Sequence, residues 1–140
     1  MFKIDKDTKI KNGDIRNFDY DKEYTPKIGM LGTEYVGSDR YGVVCTQVYT
    51  PRKVAVGRLW NLSEDNIKNN PDILIDEEGV MWMSPDVLKK YGVNSSYDIE
   101  RWTLRTNKTT GKKSWHEERK ARRSSSIHWG IASPHRDMDF

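Results

Sequence analysis

Polar and apolar side chains alternate along residues 98–106, DIERWTLRT. Because successive side chains of a β-strand point to opposite faces of the sheet, this pattern predicts a strand with Trp102 and Leu104 facing the core and Arg101 and Arg105 facing outwards. Further stretches rich in β-branched and aromatic residues predict strands at residues 33–36, 41–50, 53–60, 80–83, 114–121 and 124–133. No heptad, solenoid repeat or regular alternation of strand and helix accompanies them. We therefore expect a mainly β fold, either a small antiparallel sheet or a partly open barrel.

Residues that favour turns separate these strands, and one segment favours a helix. Glycine, proline and asparagine predict turns at residues 37–42, 51–52 and 107–113. A glycine within a strand pattern, Gly57, indicates a β-bulge. Residues 84–91 predict one short helix, because Ser84 suits the N-cap, the following proline suits the first helical position and Gly92 suits the C-terminal stop.

The length of 140 residues suits one domain. Residues 1–26, in which Lys and Asp surround scattered apolar side chains, predict an extended N-terminal arm. Residues 27–140 then form a single β-rich domain with an insertion at about 61–98. No apolar run reaches the roughly 20 residues of a membrane span, and the N-terminus lacks a secretory signal, so we expect a cytoplasmic protein that contacts no membrane.

Positive charge is concentrated at the C-terminal end of the chain. Residues 101–140 carry ten basic and four acidic side chains, whereas residues 1–100 carry fourteen basic and seventeen acidic ones. Such a one-ended field attracts nucleotides, nucleic acid or acidic protein surfaces, although a solvated basic face has the same composition. Its densest part is a basic patch formed by Arg119, Lys120, Arg122 and Arg123.

Arginine and tryptophan supply the candidate ligand-binding residues. Arg101 and Arg105 share one strand face and could hold phosphate, because each guanidinium presents a rigid set of donors. Arg40 lies in a glycine-bounded turn, where the backbone would fix its position. Trp82 and Trp115 could stack on a flat ring. The structural alternatives are solvated arginines and tryptophans that belong to the core.

Catalytic and metal-binding patterns have little support in the sequence. It contains no nucleophile elbow, phosphate loop or paired-carboxylate motif, so we expect no enzyme activity and no cofactor. His116, His128 and His135 lack zinc-site spacing, which predicts no metal site. The single cysteine, Cys45, follows Val43 and Val44 and fits a small core residue.

Two stretches carry a resemblance to known proteins. The segment GSDRYGVVCTQV, Gly37–Val48, and the C-terminal part from RWTLRTNKTTGKKSW to Asp137–Phe140 together cover roughly half of the chain. They resemble small, mostly uncharacterised phage and prophage proteins with an Asp-Arg-aromatic turn, a Thr-Leu-Arg strand and an Asp-x-Phe ending. The mixture of arginine and aromatic residues is also similar in type to phage sponge proteins that bind nucleotide signals, such as those that block Thoeris defence.

This resemblance implies a phage accessory protein that acts against host defence in the host cytoplasm. We expect it to sequester an anionic nucleotide-type signal molecule, as a homo-oligomer because a small open sheet seldom encloses a nucleotide alone. A rival hypothesis is an inhibitor, similar to anti-CRISPR proteins, that binds a host protein or nucleic-acid effector through its basic C-terminal half. A phage structural or assembly protein would also account for the β-rich core, and a nucleotide hydrolase ranks last.

Overall fold

The computed structural model describes residues 15–93, 99–118 and 126–135. Within them the chain forms eight strands: β1 (Leu31–Val36), β2 (Asp39–Thr50), β3 (Lys53–Arg58), β4 (Ile73–Ile75), β5 (Met81–Met83), β6 (Ile99–Thr106), β7 (Lys113–Glu117) and β8 (Ser126–Trp129). The helical segments are short: a 3₁₀ helix at Ile15–Asn17, α1 at Glu64–Ile67 and a second 3₁₀ helix at Pro85–Tyr91. The predicted mainly β fold is confirmed.

Six strands form one antiparallel sheet in the order β7-β6-β3-β2-β1-β8, while β4 and β5 pair separately. The large sheet curls until it is nearly closed. Its two edges meet where Trp115 of β7 and Trp129 of β8 pack edge to face, with ring centroids 6.3 Å apart. A partly open barrel is therefore the correct description of the fold.

The alternation along each strand gives the large sheet buried side chains on both of its faces, which belong to one hydrophobic core. Trp102, Trp115 and Trp129 are buried on the inner face of the curled sheet, as the pattern of residues 98–106 predicts for Trp102. The opposite face of β1 and β2 is covered by the segment between β3 and β5, residues 59–80, which we call the excursion. At Gly42 of β2, a Cβ atom would lie only 2.9 Å from the Leu62 side chain, so this glycine allows the excursion to pack directly on the sheet.

The first hairpin turns more tightly than the sequence pattern suggests. β1 and β2 are joined by Gly37 and Ser38 alone, and Gly37 has a φ of 59°, the pattern of a type II′ turn. Arg40 consequently lies in β2, opposite Tyr35, and the prediction that it lies in a turn is corrected. The prediction of a β-bulge at Gly57 is also wrong, because the bulges lie on the neighbouring strand.

The irregularities in the pairing of β2 with β3 lie on β2, between Cys45 and Gln47 and between Val48 and Thr50. Gly57 has a different role, because a Cβ there would come within 2.9 Å of a methyl group of Val93. A close approach between neighbouring chain segments therefore explains this glycine.

The predicted helix is present as a 3₁₀ helix, Pro85–Tyr91. The Ser84 hydroxyl accepts a hydrogen bond from the Asp86 N–H, and Gly92 ends the helix with a φ of 98°, as the capping pattern indicates. The structure adds α1 and β4, which the sequence pattern did not predict, within the predicted insertion at about 61–98. None of the helices among the described residues is long and apolar enough to cross a membrane.

Within the predicted N-terminal arm, only residues 15–26 are among the described ones. Phe18 is buried and stacks on Tyr24, with ring centroids 5.2 Å apart. A Cβ atom at Gly130 would lie 2.6 Å from the Phe18 ring. This part of the chain thus packs against the end of β8.

Cys45 is fully buried among the apolar side chains of the inner core, and burial raises the pKa of its thiol to about 12. Thiolate is the reactive form, so we expect almost no reaction of native protein with a disulfide reagent at pH 8. After denaturation in guanidinium, one thiol per chain should react within minutes. Rapid reaction of the native protein would contradict this burial.

Candidate anion-binding cleft

A cleft of about 920 Å³ opens between the end of the first hairpin, the excursion and the segment after β8. This volume lies in the range of small-molecule sites, roughly 300–1,000 Å³. We call it the Arg40 cleft. Its lining residues are Tyr20, Arg40, Glu64, Asp65, Ile67, Lys68, Asn69, Asn70, Ile73, Ile75, Met81, Ile131, Ala132, Ser133 and Pro134.

One wall of the Arg40 cleft is apolar. Ile67 ends α1, Ile73 and Ile75 belong to β4, and Met81 lies on the partner strand β5. The three isoleucines are only partly buried and pack against the main core. Branched side chains held by regular structure make a rigid surface on which the flat body of a ligand can rest.

Local sequence explains why α1 forms at the cleft. Ser63 and Asn66 form a capping box, in which the Asn66 side chain accepts a 2.7 Å hydrogen bond from the Ser63 N–H. Glu64 and Asp65 lie in the first turn, where negative charge is favourable. The helix therefore presents two carboxylates and Ile67 at the cleft.

A hydrogen-bond network attaches the cleft wall to the second 3₁₀ helix. The Tyr91 hydroxyl donates to Asp72 at 2.6 Å and accepts from the Asn70 side chain at 2.8 Å. Lys90 donates to the same Asp72 oxygen at 2.8 Å. These bonds from Lys90 and Tyr91 lower the pKa of Asp72. Asn70, which lines the cleft, is thereby held in one orientation.

Backbone hydrogen bonds hold Arg40 at the cleft, beside the segment that follows β8. Its backbone N–H donates to the His135 carbonyl at 2.6 Å, and its own carbonyl accepts from the His135 N–H at 2.9 Å. Two positions along β2, Gly42 lies on the same face, and a Cβ there would be 3.7 Å from Ala132, a cleft residue. The strand geometry therefore directs the Arg40 side chain towards the cleft.

The Nε atom of Arg40 is buried and has no hydrogen-bond partner among the described residues. A buried N–H without an acceptor costs roughly 1–3 kcal/mol, so such groups are rare and call for an explanation. A carboxylate or phosphate oxygen in the cleft would supply the acceptor. Nε and one terminal nitrogen of a guanidinium bind such groups in bidentate fashion.

Among the residues that the structure describes, opposite charges balance around the cleft. Arg40 and Lys68 contribute two cations, and Glu64 and Asp65 contribute two carboxylates. Glu64 also contacts the His135 ring through Oε1 and Nδ1. The arrangement suits a ligand that combines one anionic group with hydrogen-bond donors better than a densely charged polyanion.

The other sequence-predicted ligand residues lie elsewhere. Arg101 and Arg105 are exposed on the outer face of β6. Trp82, on β5, is half-buried and donates through its indole N–H to Asp76 at 3.0 Å. Trp115 is only 6% exposed, beside a second cavity of about 450 Å³ at the seam of β7 and β8. The basic patch, Arg119, Lys120, Arg122 and Arg123, lies outside the described residues.

Arg40 is thus the one predicted ligand residue in the cleft, and sequence reasoning missed its neighbours. Two signals could have identified them: the Ser63-Glu64-Asp65 start of a helix and the apolar run of β4. Among the residues that the structure describes, no group of three His, Cys, Asp or Glu side chains is placed to hold a metal ion.

Comparison with known proteins does not add to this geometry. The sequence matches no protein family model, no curated protein and no solved structure. Function must therefore be inferred from the residues of the cleft.

Proposed function

We propose that this protein binds a small anionic molecule of the nucleotide class in the Arg40 cleft. The observation that carries the proposal is the buried Arg40 Nε, which has no acceptor among the described residues yet belongs to a residue that lines a cleft of about 920 Å³. Phosphate at this position would accept from the guanidinium. The base or sugar would contact the isoleucine wall.

The charge balance narrows the ligand class. The exposed carboxylates of Glu64 and Asp65 can accept hydrogen bonds from ribose hydroxyls or from an exocyclic amine. The same carboxylates repel additional phosphates. Nucleoside monophosphates, cyclic mononucleotides and ADP-ribose derivatives therefore fit better than nucleoside triphosphates.

The biological role that we propose is sequestration of such a molecule by a phage accessory protein. The resemblance of Gly37–Val48 and of the C-terminal part to phage proteins motivates this role. Holding a signal molecule requires binding alone, which suits a cleft built from a fixed arginine and an apolar wall. The captured ligand should be recovered chemically intact after heat denaturation.

The first test is thermal unfolding in the presence of adenosine monophosphate, cyclic adenosine monophosphate, ADP-ribose and adenosine triphosphate. A ligand at a hundred times its dissociation constant stabilises a protein by about 2.7 kcal/mol. We expect one of the first three to raise the midpoint and the triphosphate to do so less. Arg40→Met should abolish the shift, because it removes the donors and keeps an unbranched side chain in place of the aliphatic part of arginine.

Two controls separate loss of binding from loss of folding. Without ligand, Arg40→Met should unfold at or above the wild-type temperature, since it removes a buried N–H that lacks an acceptor. Lys89→Met, an exposed position on the second 3₁₀ helix, should retain the full ligand shift. The proposal fails if no compound of the panel stabilises the wild type, or if the shift persists in Arg40→Met.

A further inference from the structure

A second surface lies on the outer face of the sheet, away from the Arg40 cleft. The register places Ala55 of β3 opposite Arg101 and Lys53 opposite Thr103, so these side chains share one face. On the other side of β6, His116 pairs with Thr103 and Ser114 with Arg105. We call this surface the β6 outer face, formed by Lys53, Arg101, Thr103, Arg105, Ser114 and His116 above the buried Ala55.

Positive charge on the β6 outer face exceeds negative charge. Its nearest carboxylate, Glu118, is bonded to Lys53 at 2.9 Å and to the Thr103 hydroxyl at 3.1 Å. The Lys53 contact contributes most to lowering the pKa of Glu118. Among the residues that the structure describes, Arg101 and Arg105 form no salt bridge, and both are exposed.

Further cations extend the positive surface at one end. Arg52, in the turn between β2 and β3, donates to the Thr106 hydroxyl at 3.1 Å and so lies next to the end of β6. The hairpin between β6 and β7 adds two exposed lysines, Lys108 and Lys112. Cations therefore continue beyond Arg105 at this end of β6.

An exposed aromatic ring lies beside the arginines. Tyr49 of β2 is 42% exposed, and the Arg101 guanidinium lies 5.2 Å from its ring centroid. Base stacking on an aromatic side chain beside cations is the usual means of binding single-stranded nucleic acid without sequence preference. Binding of an acidic protein surface would need only the cations and would not use the exposed tyrosine ring.

The spacing of the arginines favours an extended polymer. Arg101 and Arg105 are four residues apart on one strand, which separates their Cα atoms by about 13 Å. This distance suits contacts with two phosphates better than a clamp on one phosphate group. Along eight residues the face extends for about 26 Å, enough for several nucleotides.

We infer that the β6 outer face binds single-stranded nucleic acid, with Arg101 and Arg105 on the phosphates and Tyr49 stacked on a base. This inference is independent of the proposed nucleotide site, because the two surfaces share no residue. The cations contact the phosphates and the tyrosine ring stacks on a base, and neither contact reads the identity of the base. The affinity should therefore depend weakly on base sequence.

The test is fluorescence anisotropy with 5′-labelled 12-nucleotide single strands of DNA and RNA between 50 and 300 mM NaCl. The Arg101→Ala/Arg105→Ala variant should lose two phosphate contacts, which reduces the magnitude of the negative slope of log affinity against log salt by about 1.4. Tyr49→Ala should weaken binding about tenfold and leave the slope unchanged. Lys89→Ala, which removes an exposed cation on the second 3₁₀ helix, should bind like the wild type.

The Arg101→Lys/Arg105→Lys variant keeps the charge and should retain most of the affinity, which attributes the loss in the alanine variant to the removed charges. Labelled poly-glutamate serves as the protein-like probe. The inference is overturned if neither strand binds at 50 mM NaCl, if the double alanine variant binds unchanged, or if poly-glutamate binds as tightly as DNA. Arg40→Met should bind the strands normally, so failure at one site leaves the other test intact.

Discussion

Replacing Trp102 by alanine should lower the free energy of unfolding by about 4 kcal/mol, the usual loss for a large aromatic side chain removed from a packed core. Trp102 is 1% exposed on the inner face of β6, where it lies between Val54 of β3 and Glu117 of β7 in the pairing register. The curled sheet cannot collapse fully into the space, because its backbone hydrogen bonds hold the neighbouring strands apart. Urea denaturation followed by far-ultraviolet circular dichroism measures the loss.

The neighbouring residue on the same strand is the matched control. Arg101 is exposed on the outer face, so Arg101→Ala should change the free energy of unfolding by less than about 0.5 kcal/mol. If Trp102→Ala were equally neutral, the inner face of the sheet would not be the core. The contrast between adjacent positions thus tests the alternation on which the fold depends.

Replacing Arg58 by methionine should cost about 3 kcal/mol, because it breaks a buried ion pair from one side. Nε and Nη2 of Arg58 donate to the Glu34 carboxylate at 3.0 and 2.8 Å, and Glu34 is only 5% exposed. The guanidinium also lies 4.2 Å from the centroid of the Tyr41 ring and 4.7 Å from that of Trp60. The substitution would leave the carboxylate buried without its guanidinium.

A double substitution distinguishes the buried charge from lost packing. Glu34→Leu/Arg58→Met removes both charges and should recover most of the loss, since apolar side chains of similar size replace buried ion pairs at little cost. The same urea titration applies to both variants. If Arg58→Met lowers the free energy of unfolding no more than the double substitution does, the two side chains are not energetically coupled.

The faces of the strands were the most predictable part of the fold. Alternation alone placed Trp102 inside and Arg101 and Arg105 outside, because one face of a curled sheet must be apolar. Closure of the sheet was not predictable, since Trp115 and Trp129 lie on strands that are distant in the sheet order and pair with different neighbours. The alternation in the TEYV segment of β1 predicts a strand. It does not indicate that the Glu34 carboxylate is buried and paired with Arg58.

The candidate site was predictable only in part. Arg40 was selected for its glycine-bounded segment, but its place on β2 depends on the two-residue turn and on the backbone bridge to His135. The cleft combines residues 64–75 with residues 131–134, and such long-range contacts leave no local periodic signal. In the same way, the sequence grouped Arg40 with Arg101 and Arg105, and only the topology separates them into two surfaces.

The most direct test of the proposed nucleotide site observes the Arg40 Nε–Hε group itself by ¹H–¹⁵N nuclear magnetic resonance. Arg40→Lys assigns the signal, because that variant lacks it. Titration with adenosine monophosphate, cyclic adenosine monophosphate and ADP-ribose should shift the signal saturably with one of them, as its phosphate supplies the missing acceptor. A signal that stays unchanged with all three at millimolar concentration would contradict the proposed site.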